Sequence, residues 1–273
     1  MLKERLITVA VVLPLLLALL FLAPSAVWGA VIGIAVFLGA VEWARLCGMR
    51  RTGQALFAIP VVASGSCVIA ADASPAWQDA AASATRLLCA AAVLFWIAAV
   101  PCWLYFRWRV RSRPVLVFVG WLVLVPAWLA THALQKTPLV LLLALCVVWL
   151  ADTAAYFAGR RFGRHKLAPA ISPGKTLEGL AGGYLAVLIY AVFVAAVLVP
   201  QASLPEKGSL IIFALVLATL SVAGDLYESW MKRQAGAKDS GHLLPGHGGV
   251  LDRIDSLTAA MPFAALYLVY SAR

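Results

Sequence analysis

The stretch SWMKRQAGAKDSGHLLPGHGGVLDRID, residues 229–255, decides how the rest of the chain is read. It is the longest run without an apolar block of membrane-like length, and it lies between two such blocks, 210–228 and 257–272. It packs Lys232, Arg233, Lys238, Asp239, His247, Asp252, Arg253 and Asp255 into one segment. A bare connector between two spans needs only a few polar residues. Both signs of charge, a Gly-Gly pair and a His in one place suit a phosphate-rich ligand and a cation. Membrane topology alone would account for the cations as a solvated basic loop.

Outward from this stretch, apolar blocks dominate. The 273 residues are 63% hydrophobic and 12% charged, with a mean hydropathy of +0.93, whereas soluble domains carry about 25% charge. The fold class is therefore an all-α polytopic membrane protein. A hydrocarbon core about 30 Å thick needs roughly 20 helical residues. The blocks 6–23, 26–42, 55–71, 87–105, 115–133, 138–158, 179–199, 210–228 and 257–272 predict about nine transmembrane helices. Pro60, Pro101 and Pro126 fall inside spans, where proline is tolerated. Lys3 and Arg5 before the first block imitate a secretory signal. The apolar run is too long for an h-region and leads straight into another block, so a retained first span is expected.

The net charge of +10 does not mark a nucleic-acid binder, because the basic residues form no single patch. Eighteen of the 22 Lys and Arg fall in the N-terminus, 43–54, 106–114, 159–178 and 229–256, alternate connections that share one side. Arg86, Lys136, Lys207 and Arg273 fall on the other. The positive-inside rule then places the N-terminus in the cytoplasm, the C-terminus outside and both chemistry-rich loops inside a cell (inner) membrane. Anionic membrane lipids favour such a basic face. Residues 1–137 form an N-terminal region of about five spans. Residues 138–273 form a catalytic region with cytoplasmic loops 159–178 and 229–256. Cys47, Cys67, Cys89, Cys102 and Cys146 make no CxxC pair, so free thiols are expected.

Asp152 lies near the inner end of span six, and Asp225 and Glu228 near that of span eight. Charge there is costly, so these groups should face protein, a partner or a water-filled cavity. Asp225, Glu228, Ser229 and Lys232 follow spacings of three and four and share one helix face. A span-end ion pair between Glu228 and Lys232 is the structural reading of that face. Asp225 and Asp252 come from two segments, as suits Mg²⁺ bound by one or two carboxylates plus substrate phosphates. Lys232, Arg233, Lys238 and Arg253 can balance a polyphosphate. Gly246, Gly248 and Gly249 around His247 would let backbone N–H groups approach an anion at the start of span nine.

The other inner loop carries Ser172-Pro173-Gly174-Lys175-Thr176-Leu177-Glu178. It looks like a P-loop ending but lacks the GxxxxGK[ST] spacing. It reads either as a small phosphate-binding loop or as the cap of span seven, begun by Ser172 or Thr176 with Pro173 in the first turn. No nucleophile elbow or zinc spacing is present, so acyl or peptide hydrolysis is not indicated. Phosphoryl or nucleotidyl transfer onto a lipid is.

The order Ser229, Lys232-Arg233, Lys238-Asp239, His247-Gly248-Gly249, Asp252-Arg253, Asp255 resembles the signature of the phosphatidate cytidylyltransferases, the CDP-diacylglycerol synthases. Residues 152–178 are similar to that family's second recognisable region, with Gly174 where members often have a second Lys. The resemblance implies a multi-span helical enzyme, a homodimer, that converts CTP and phosphatidate into CDP-diacylglycerol and pyrophosphate. It implies Mg²⁺ on Asp225 and Asp252 and leaves a second cation open. It gives catalytic roles to Asp225, Asp252, Lys232, Arg233 and Asp255. Ser172, Lys175, Thr176, Ser229, Lys238, Asp239, His247, Gly248, Gly249 and Arg253 become substrate-binding residues. Two other readings stand beside it. An ion-coupled lipid transporter or flippase would use Asp152 and Asp225 as coupling sites and should show inverted repeats, of which none is evident. A CTP-dependent polyprenol kinase would share the spans but not the full signature.

Overall fold

The structure, a computed structural model, describes residues 13–241 and 248–270. Its helices are α1 (Leu13–Leu22), α2 (Ser25–Leu46), α3 (Arg51–Asp72), α4 (Gln78–Phe106), α5 (Arg113–Gln135) and α6 (Pro138–Phe162), then α7 (Leu177–Val197), α8 (Leu204–Gln234) and α9 (Leu251–Ala265). Seven of these, α2 to α8, are long and apolar enough to cross a membrane. The chain is accordingly a multi-pass helical membrane protein. The described part of α1 falls short of the roughly 20 residues that a crossing needs, and the 15-residue α9 reaches that length only with the π-helical turn Leu266–Tyr270 that continues it.

Several helices outrun their apolar blocks. α4 starts at Gln78, nine residues before the expected 87, because 78–86 is rich in alanine, a strong helix former of modest hydropathy. A π-helical turn, Phe95–Ala99, interrupts α4 just before Pro101. Pro101 cannot donate to the carbonyl four residues back, and the wider turn absorbs that loss. α8 extends for 31 residues and opens with a capping box, the Ser203 hydroxyl and the Glu206 carboxylate each accepting the other's backbone N–H. At its far end it carries Lys232 and Arg233 in its last turn, where cations complement the helix dipole. The expected loop 229–256 is thus mostly helix termini around a shorter link.

The bundle is all-helical, as expected, with one small addition. Between α6 and α7 lies an antiparallel hairpin, β1 (Lys166–Ala168) and β2 (Ser172–Thr176), pairing Lys166 with Thr176 and Ala168 with Ser172. Pro173 therefore sits in a strand, not in the first turn of a helix. Thr176 is the N-cap of α7, its hydroxyl accepting from the Gly179 N–H at 3.1 Å. Ser172 is not the cap.

The hairpin is held in place by close packing of α6 on α7. A Cβ on Gly179 would come 2.8 Å from the Ala155 carbonyl oxygen, and one on Gly183 would come 3.0 Å from that of Ala151. Small residues four apart on both helices bring the backbones together, as at membrane helix interfaces. Glu178 then fixes the incoming loop, accepting from the backbone N–H groups of Arg164 (3.0 Å) and His165 (3.2 Å).

Two apolar clusters fill the interior. One joins Trp43, Phe57, Trp96, Trp103, Val123 and Tyr227, and the other joins Leu134, Leu141, Val148, Val187, Leu217 and Met261. Contacts tie the basic connections together at one end. The Val110 N–H donates to Gln234 Oε1 (3.2 Å), Trp230 Nε1 to the Trp108 carbonyl (3.0 Å) and Arg233 Nε to the Ile171 carbonyl (3.2 Å). Lys136, from the other set of connections, lies 2.7 Å from Asp72 at the opposite end.

Candidate active site

At the basic end, α6, the hairpin, α7, α8 and α9 surround a cavity of about 600 Å³. Its walls include Asp152, Arg160, Ser172, Lys175, Thr176, Asp225, Lys232, Asp239, Asp252, Arg253 and Asp255. Residues 73 positions apart in the sequence, Asp152 and Asp225, thus face one space, and Asp252 and Asp255 join them from a third helix.

The expected face of α8 is present. The Ser229 hydroxyl donates to Asp225 Oδ1 at 3.3 Å, and Lys232 Nζ lies 2.5 Å from Glu228 Oε2. Lys232 also donates to Asp252 Oδ1 at 2.6 Å, so one ammonium bridges α8 and α9. The other oxygen of Asp252 accepts from the N–H of Gly249 (2.8 Å) and the N–H of Ser240 (2.9 Å), and the Ser240 hydroxyl oxygen lies 3.0 Å from it. Burial pushes the Asp252 carboxyl up, but Lys232 and the two amides outweigh it and hold the group down at about 2. Lys175, carried on β2, reaches across the cavity and sits 2.6 Å from Asp225 Oδ2.

Some signature residues lie off the cavity wall. Arg233 is exposed and bonds the Ile171 carbonyl, and Lys238 is exposed beyond the end of α8. Ser229 stands behind Asp225. Gly248 and Gly249 lie beside an internal carboxylate, that of Asp252. Gly248 has φ +82°, a conformation natural to glycine. The Gly249 N–H serves Asp252, and the next two amides serve the carboxylate of Glu42. The start of α9 therefore binds the protein's own carboxylates. His247 lies outside the described residues.

Sequence reasoning passed over several participants. Arg160 and Tyr156 line the cavity one turn apart on α6, and Ser256 lines it from α9. Glu42, at the end of an apolar run, is fully buried against the start of α9. An acidic residue within a span is costly, and that cost was the available signal.

The cavity gathers carboxylates and cations from helices distant in sequence, with Lys232, Asp239, Asp252, Arg253 and Asp255 of the 229–255 stretch on its wall. The sequence pattern of the cytidylyltransferase family matches residues 3–271. The chain belongs to the cytidylyltransferase family. A phosphatidate cytidylyltransferase of Pseudomonas aeruginosa is 41% identical, and the match covers 97% of each chain. One from Haemophilus influenzae is 45% identical over 51% of this chain and 49% of its own length. One from Bacillus subtilis is 48% identical over 44% of each. With one such relative over 97% of its length and others over about half, this cytidylyltransferase is an enzyme of the phosphatidate cytidylyltransferase family. Neither the transporter nor the polyprenol-kinase reading gains support from them.

Proposed function

We propose that the enzyme transfers a cytidylyl group from CTP to phosphatidate, giving CDP-diacylglycerol and pyrophosphate, with Mg²⁺ at the cavity. The observation that carries this reading is the meeting of Asp225, Asp252, Lys175, Lys232 and Arg253 on one cavity at the end of a helical membrane bundle. The names of the relatives supply the substrates. We take the cavity to face the cytoplasm, where CTP is, in a cell membrane that α1 and α9 also enter.

The donor set fits a hard cation in kind. Mg²⁺ uses one or two carboxylates and leaves its other positions to water and phosphate oxygens. Among the described residues no group of three or more His, Cys, Asp or Glu side chains forms a metal cage, so in this proposal substrate oxygens and water complete the coordination. Asp225 is the more available of the two proposed ligands, since its side chain is 29% exposed and meets only Ser229 and Lys175, while that of Asp252 is 6% exposed with both oxygens engaged. When bound, Mg²⁺ would neutralise charge building on the departing pyrophosphate.

The lipid phosphate is largely ionised near neutral pH, with a second pKa of about 6 as for other phosphomonoesters, so its oxygen needs no strong base. That oxygen forms a bond to the α-phosphorus of CTP as the bond from this phosphorus to the bridging β oxygen breaks, and pyrophosphate leaves with the electron pair. Lys175, Arg160 and Arg253 face the cavity and are the cations placed to meet the triphosphate. Lys232, locked between Glu228 and Asp252, holds α8 and α9 in register. Catalysis then rests on positioning and charge neutralisation.

The test uses purified protein in detergent with phosphatidate and each of the four NTPs, following pyrophosphate and lipid product. The expected result is equimolar pyrophosphate and CDP-diacylglycerol with CTP and Mg²⁺ only. Pyrophosphate release that is independent of phosphatidate would sink the reading.

A further inference from the structure

Glu42 belongs to α2, far in sequence from the signature, and it is fully buried. Among the described residues it has no ion-pair partner. Three donors meet it instead. Its Oε2 accepts from the Ser240 hydroxyl and from the Leu251 N–H, both at 2.8 Å, and its Oε1 accepts from the Val250 N–H at 3.1 Å.

These are the groups that α9 cannot satisfy by itself. The first amides of a helix lack intrahelical partners and carry partial positive charge. The N-cap position of α9 is Val250, whose side chain cannot cap. Glu42 supplies both the acceptor and the negative charge from another helix. The surrounding backbone leaves room for it, since a Cβ on Gly241 or on Gly249 would collide with its carboxylate.

Ser240 extends the contact to the site. Its hydroxyl stands between Glu42 Oε2 at 2.8 Å and Asp252 Oδ2 at 3.0 Å, while its N–H donates to the same Asp252 oxygen at 2.9 Å. One turn of α9 therefore has Glu42 on its amides and Lys232 and Ser240 on its carboxylate. We propose that Glu42 is a positioning residue for nucleotidyl transfer: it anchors the N-terminus of α9 and, through Ser240, sets Asp252 against α8. It does not touch substrate. This inference rests on the proposed function only in giving Asp252 its task, and it assigns the N-terminal spans a part in building the site.

The experiment compares wild-type enzyme with Glu42→Gln and Glu42→Asp in detergent, by hydrogen exchange and by steady-state kinetics. Gln keeps the size but turns an amide donor toward backbone donors, and Asp keeps the charge but shortens the reach. In Glu42→Gln, exchange of peptides covering 240–256 should rise about tenfold with α6 and α7 unchanged. Its kcat should fall about 10- to 100-fold, the usual cost of losing an outer partner of a functional carboxylate. The KM for CTP should move less than about threefold, since only positioning is lost, and Glu42→Asp should recover part of the turnover.

Wild-type exchange at 240–256 in Glu42→Gln would overturn the inference, as would a rise spread over the whole chain. Should Glu42→Gln fail to assemble, Ser240→Ala removes one branch, and a smaller rise confined to 240–256 is expected. Unchanged exchange there would likewise overturn it. Exchange needs no substrate, so a wild-type enzyme inactive on CTP and phosphatidate would defeat the proposed reaction and leave the anchor standing.

Discussion

The two ends of the bundle treat carboxylates in opposite ways. Away from the cavity, Asp72 Oδ2 lies 2.7 Å from Lys136 Nζ and 3.3 Å from His132 Nε2. Beside it, Gln135 donates to the carbonyls of Leu20 (3.3 Å) and Ala23 (3.2 Å) and accepts from the Ser25 hydroxyl (2.7 Å). There one acid with two basic neighbours ties the end of α3 to the end of α5. At the other end Asp152, Asp225, Asp252 and Asp255 line a cavity that also receives Lys175 and Lys232, and Glu228 backs Lys232. With Asp239, Arg160 and Arg253 also on its wall, the cavity sets five acids against four cations, a mixture that suits a polyphosphate together with its cation. The two lysines also differ. The Lys232 side chain is 12% exposed between two acids, whereas Lys175 is 24% exposed on a hairpin strand. The first is part of the frame, and the second is the one that the proposed reaction would turn toward a phosphate.

The sharpest way to break this contrast is at the proposed ligands. Asp225→Asn and Asp252→Asn should each lower kcat by at least about 100-fold, the scale of losing a preorganised electrostatic contact, with the protein still folded by its melting curve in detergent. Lys232→Ala comes next. It strands Glu228 and Asp252, whose side chains are 5% and 6% exposed, and should cost about 3–5 kcal/mol of stability, read as a lowered melting temperature.

Lys175→Ala should be gentler on the fold, because its pair with Asp225 is partly solvated, and stability should change by no more than about 1 kcal/mol. Its effect should fall on substrate, with the KM for CTP rising about tenfold for one lost charge-assisted contact. Smallest of all is Asp72→Asn, for which kcat should be unchanged and stability should shift by no more than about 1 kcal/mol. A loss of turnover there comparable with that of Asp252→Asn would erase the distinction between the two ends.

The sequence shows the helices where membrane and protein make the same demand and misses them where the demands part. Blocks such as 138–158 and 179–199 are apolar over a bilayer's depth, and α6 and α7 form there. The turns before 87 are helical through alanine propensity, which hydropathy undervalues. The hairpin Lys166–Ala168 with Ser172–Thr176 has no period-2 alternation and contains Pro173 and Gly174, which are poor strand residues. It exists because the glycine-lined contact of α6 with α7 and the bonds of Glu178 fix both of its ends.

In the site, the i, i+3 and i+4 spacing correctly places Asp225, Glu228, Ser229 and Lys232 on one face, since helix geometry alone determines it. Which amides meet which anion depends on tertiary contact. Gly248 and Gly249 read as a phosphate cradle, and only the packing of α2 shows that the next two amides, of Val250 and Leu251, meet Glu42. Glu42 looks like the charged edge of a span, and only the packing of α2 on α9 gives it a task.

The most direct test of the central claim, that Asp225 and Asp252 together serve one cation with the nucleotide, is Mn²⁺ titration followed by electron paramagnetic resonance. Wild-type enzyme with CTP in detergent is expected to show a bound Mn²⁺ population that is displaced by Mg²⁺ and weakened in both Asp225→Asn and Asp252→Asn. Retention of that population at wild-type affinity in either variant would contradict the account.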